Sequence, residues 1–167
     1  MDIPDQIATA LFSSAALAAP ASPGGWALDP AGQITLSDAG KPIYRLDCTG
    51  PELVVTQFGV TKLLDVQRNQ PVGDTDGSTL PAGASVMALA TDKSEPKMVT
   101  ASATRSAGSG WDMAIRLPKD DPAFLSLPRA GMVSLFTTGF TRAVQLGKAD
   151  RKLLATFVSQ CRGKIPG

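Results

Sequence analysis

Alternation of apolar and polar residues is the strongest signal along this chain. Trp111, Met113, Ile115 and Leu117 alternate with Asp112, Ala114 and Arg116, the period-two pattern of a strand with one buried face. Residues 25–28 and 33–36 read as short strands divided by the turn-forming Asp29-Pro30-Ala31-Gly32. Residues 41–48 and the β-branched 52–58 continue the series, followed by the less regular 62–67. Residues 85–90 and 97–105 predict a hairpin, and 132–137 with 142–146 predict another through Thr138-Gly139-Phe140-Thr141. A faint echo links the two regions, since 59–66 can be laid over 139–146 with shared Gly, Thr, cation and apolar alternation.

Near the carboxyl end the period changes. Residues 148–162 place Leu153, Leu154, Phe157, Val158 and Cys161 at helical spacing, with Gly163 in C-cap position, and 121–127 read as a short helical turn. Short strands closed by one helix predict a mainly β fold, α+β at the margin: an antiparallel β-sandwich or half-open barrel with one C-terminal amphipathic helix packed on it.

The first 24 residues form a separate segment ahead of a single β-rich domain over 25–167. Residues 7–19 are an apolar, small-residue run, and Ala16-Leu17-Ala18 and Ala19-Pro20-Ala21 both carry the small-x-small pattern of a signal-peptide cleavage zone. The basic start of such a signal is missing, because Lys41 is the first cation and Asp2 and Asp5 stand in its place. The alternative is an amphipathic helix with Pro4 in its first turn and Ile3, Ile7 and Leu11 on one face. At thirteen residues the run is too short for a transmembrane helix, which takes about 20.

Composition narrows the chemistry. The 167 residues, 43% of them hydrophobic, suffice to bury a core, and 16 Lys and Arg against 15 Asp and Glu give no global reason to expect nucleic acid. Histidine is absent, which removes Ser-His-Asp and Cys-His catalysis and His-ligated zinc. Cys48 and Cys161 each end an ordered stretch and lie in no CxxC motif, so they predict one long-range disulfide in an oxidising compartment, or else two buried thiols.

Motifs with catalytic form are incomplete. Ser94-Glu95-Pro96-Lys97 has the S-x-x-K spacing of penicillin-recognising enzymes, but Pro96 opposes the required helix. Asp74 and Asp76 are weak metal candidates, in a loop whose glycine comes too early for an EF-hand. The carboxyl end is basic, with Arg142, Lys148, Arg151, Lys152, Arg162 and Lys164 against Asp150. A solvated outer face, its cations suiting the helix C-terminal dipole, is the favoured account of this over a binding surface. For a binding surface the candidate residues are Lys62, Phe140, Arg142, Lys148, Arg151 and Lys152, with a protein or an anionic glycan as partner and no cofactor. The leading expectation is an exported, periplasmic or secreted bacterial module that binds or inhibits without catalysis. The alternatives are a small His-free hydrolase using Asp and Ser residues, and a cytoplasmic interaction domain using its N-terminal helix.

Overall fold

A computed structural model describes residues 25–73 and 76–163 of the chain; the N-terminal signal or helix expectation lies outside them. The strands are β1 (Gly25–Asp29), β2 (Gln33–Asp38), β3 (Lys41–Asp47), β4 (Leu53–Val60), β5 (Leu64–Asp65), β6 (Gln70–Pro71), β7 (Ser85–Thr91), β8 (Val99–Arg105), β9 (Trp111–Leu117), β10 (Met132–Thr137) and β11 (Phe140–Gln145). Helix α1 (Pro122–Ser126) runs into a 3-10 turn at Leu127–Arg129, and α2 (Lys148–Gly163) closes the described chain. Nine strands make one sheet in the order β1-β2-β3-β4-β9-β8-β7-β10-β11, every pairing antiparallel, while β5 and β6 pair apart from it. The sheet curls into a half-barrel with α2 packed against it, the half-open form of the expected fold.

The curl has a local origin. β8 pairs with β7 through Val99–Ala101 and then with β9 through Ser102–Arg105, so one strand serves two differently directed parts of the sheet. Opposite it, β4 carries an irregularity between Gln57 and Val60. There the backbone comes so close to Gly110 that a side chain would meet the Val60 carbonyl at 2.6 Å, a contact only glycine avoids.

Alternation fills the concave side. Trp26, Leu36, Tyr44, Gln57, Met113 and Ala103 lie on one rung across six strands. Ile34, Leu46, Val55 and Ile115 make the next rung, and all four are buried. Tyr44 reaches across the opening, where its hydroxyl donates to the Arg142 carbonyl and ties β3 to β11. Helix α2 buries Leu154, Phe157, Val158 and Cys161, and packs on the 3-10 turn, β1 and β2. Phe157 meets Phe124 of α1 edge to face, with ring centroids 5.9 Å apart. Among the described residues no helix is long and apolar enough to cross a membrane.

Candidate functional site

The two cysteines are joined. Cys48 directly follows β3, Cys161 lies in the last turns of α2, and their Cα atoms are 5.4 Å apart across a sequence separation of 113. Both are buried, and the buried Lys119 donates to the Cys48 carbonyl at 3.3 Å. The bond anchors the end of α2 to the end of β3. By loop-closure entropy a bridge enclosing so long a segment contributes ~4–5 kcal/mol.

The six partner-binding candidates fall into two groups, at opposite ends of β11. At the tip, the Leu64 N–H donates to the Thr138 carbonyl at 3.3 Å, and the Thr138 hydroxyl donates to the Leu64 carbonyl at 3.4 Å. This brings Lys62 beside Gly139, the turn glycine at φ +97. A shallow groove of about 370 Å³ lies here, floored by Leu63, Leu64 and Val72 and edged by Lys62. Phe140 packs half-buried against the core, and the Arg142 guanidinium stands 6.0 Å from its ring. The sequence echo is thus a contact and no structural repeat. Gly59 lies within β4, where its N–H donates to Asp112 at 3.1 Å, whereas Gly139 turns a hairpin.

The second group begins after β11, roughly 17 Å along the strand from the tip. Lys148, Arg151 and Lys152 lie in the first turns of α2. Asp150 accepts from the Gly147 N–H at 2.8 Å, and Arg151 donates to the Leu146 carbonyl at 2.6 Å. Lys148 and Lys152 are exposed and have no carboxylate within ion-pair distance among the described residues. This corrects the dipole account of the basic end. Of the described cations of α2 only Arg162 sits in the last helical turn, while Lys148, Arg151 and Lys152 lie in the first turns with Asp150 among them, near the positive pole.

The remaining candidates are engaged in local structure. Asp74 lies outside the described residues. Asp76 accepts from the Gly73 N–H at 2.6 Å and from Arg68 at 2.9 Å, so a guanidinium stands where a metal ion would. Arg68 also grips the buried Asp65 at 2.8 Å. The Asp65 carboxyl is held below its usual range by the Arg68 N–H, against the opposing effect of burial, with help from the Arg68 guanidinium and the Gln67 N–H. Asp76 is lowered in the same way, first by the Gly73 N–H and then by Arg68. Among the described residues no three His, Cys, Asp or Glu side chains cluster as metal ligands would.

Two clefts bring carboxylates together: one of about 140 Å³ is lined by Glu95, Lys97 and Asp121, and one of about 520 Å³ by Asp65 and Asp76, both already bound to Arg68. The Asp121 carboxylate is occupied there as the cap of α1, accepting from the Ala123 and Phe124 N–H groups. Ser94 lies in a turn bridged to Thr91 and opens no helix, so the S-x-x-K spacing carries no catalytic geometry.

Several buried polar groups went unremarked in the sequence. Ser126 shares a 2.6 Å hydrogen bond with Thr91, Lys119 borders the disulfide, and Gln57 is fully buried with no partner for its amide among the described residues. Gln57 had a readable signal, since it shares parity with Leu53 and Val55 on β4 and so points inward. Compared with known protein families, curated proteins and solved structures, the chain matches none of them.

Proposed function

We propose that this chain is an exported, non-catalytic binding module whose basic C-terminal face engages an anionic partner. The observation that carries this reading is the placement of the exposed Lys148 and Lys152 in the first turns of α2, where neither forms an ion pair among the described residues and the one carboxylate of the first turn, Asp150, is engaged by the Gly147 N–H. A cation there opposes the helix dipole at a cost of about 0.3–1 kcal/mol. A bound anion reverses the sign of that interaction. The Cys48–Cys161 bond supports export, because such bonds persist in oxidising compartments and are rare in reducing ones. The apolar run over residues 7–19 supports it as well.

Two measurements test the reading. The double variant Lys148→Glu/Lys152→Glu leaves Arg151 and its contact to Leu146 in place. On immobilised heparin and on poly-glutamate it is expected to elute at lower salt than the parent from at least one matrix, while keeping its fold. Retention unchanged on both would overturn the basic-face reading. The intact mass of the natively expressed protein is expected to show the disulfide and loss of the N-terminal segment; a full-length, reduced chain would overturn export.

A further inference from the structure

The two margins of the nine-stranded sheet differ. Helix α2 packs along β1 and β2 at one margin. At the other, β11 has β10 on one side and no strand on its far side among the described residues. The phase of the β10–β11 ladder is set where the Leu146 N–H donates to the Gly131 carbonyl at 2.9 Å. Alternation then turns the backbone groups of Phe140, Arg142 and Val144 toward β10, and those of Thr141, Ala143 and Gln145 away from it. Those three side chains are exposed, small or uncharged, and β11 contains no proline. It lacks a cover of the kind that blunts a sheet edge.

Charge selects what fits there. On the concave side Phe140, Arg142 and Val144 form a half-buried row, and Arg142 has no carboxylate partner among the described residues. Lys62 at the tip and Lys148, Arg151 and Lys152 beyond the other end, against Asp150 alone, give both ends of the edge a net positive charge. Building on the anionic-partner reading, we infer that β11 receives an extended segment of an acidic partner protein as an added strand. An acidic residue lies opposite Arg142, and apolar residues two positions to either side meet Phe140 and Val144. A second copy of this chain fits worse, because it brings another Arg142 and more lysines against the same row. A glycan supplies charge but no ladder of amides for Thr141, Ala143 and Gln145.

The test uses the full chain and the synthetic peptide Thr-Val-Thr-Glu-Thr-Val-Thr, a version with Lys in place of Glu, and a version N-methylated along its backbone. Amide hydrogen exchange is expected to show new protection at Thr141, Ala143 and Gln145 with the Glu peptide. The Lys peptide is expected to bind about tenfold more weakly, and the N-methylated one not at all. Ala143→Pro removes an outward N–H and is expected to abolish binding. Arg142→Glu, which leaves the backbone intact, is expected to reverse the preference between Glu and Lys peptides.

No protection up to the solubility limit of the Glu peptide, equal binding of the N-methylated peptide, or protection elsewhere would overturn strand addition. So would a dimer of the free chain that Ala143→Pro dissolves, since the edge would then serve self-association. If heparin retention responds to Lys148→Glu/Lys152→Glu while the peptide fails, the anionic-partner reading survives and the strand does not. If both fail, the reading falls with it.

Discussion

Tyr44 is the chain's single tyrosine, and its hydroxyl sits beneath the ladder of a strand 98 residues away. Burial pushes its ionisation up to about 12, with the Arg142 cation pulling the other way. The unfolded chain would release the same proton near 10, so folding favours the protonated phenol. The stability this contributes is complete below pH ~10 and is lost as pH rises from there through the folded value. Absorbance at 295 nm is therefore expected to show phenolate only well above pH 10, or together with alkaline unfolding. A midpoint near 10 with the fold intact would show that Tyr44 is not buried at the closure. Tyr44→Phe is expected to lower stability by about 1 kcal/mol in urea titration. The inward direction of Tyr44 was legible from its alternation with Leu46. Its acceptor was not, because nothing local to residue 44 specifies which distant carbonyl will lie over it. Gln57 repeats the lesson: parity pointed it inward, while the lack of an amide partner depends on what β3, β9 and the rest of the core bring around it.

At the scale of elements, helices and strands followed local rules and the loops followed charge. Strand alternation from Trp111 to Leu117 and the helical spacing of Leu154, Phe157, Val158 and Cys161 both survive as drawn, because each pattern needs only one buried face. The polar segment after β5 was harder, since its order comes from Arg68 bridging Asp65 and Asp76 rather than from any periodicity. Both carboxyls are lowered in the folded state, so the unfolded chain takes up protons first as the pH drops. Their contribution is full above pH ~4 and is lost as the pH falls from there through the folded values. Pepsin cleavage between Asp65 and Leu80 is expected to accelerate as pH falls from 4 to 2, and Asp65→Asn to cut faster than the parent already at pH 4. Cleavage independent of pH over that range, at constant pepsin activity, would remove the ion pairs from the account. The helix start was the point most easily misjudged. Bounds of 148–162 already put Lys148, Arg151 and Lys152 at the N-terminal, positive pole, and the bond from the Gly147 N–H to Asp150 marks that start in the structure.

For the whole molecule, fold class was legible and connectivity was not. Alternation and turns announce many antiparallel strands, but the pairing of β4 with β9 and of β7 with β10 joins segments far apart in sequence, chosen by the shape of the shared core. The disulfide lay between these cases: an even pair of cysteines suggested it, and only the packing of α2 over β1 and β2 brings the two Cα atoms within 5.4 Å. Helix α2 packs against the half-barrel at the β1 and β2 margin, and the bond ties its last turns to the end of β3. Removing the bond by Cys48→Ala/Cys161→Ala therefore has two expected effects. Global stability in urea should fall by ~4–5 kcal/mol, the loop-closure contribution, out of the 5–15 kcal/mol typical of a domain. Amides of α2 should also exchange through a local opening that spares β4 and β9, since the helix is then held by the packing of Leu153, Leu154, Phe157 and Val158 and by the Phe124 contact, with no covalent tie. A variant as stable as the parent, with α2 exchanging only by global unfolding, would show that packing alone closes the half-barrel.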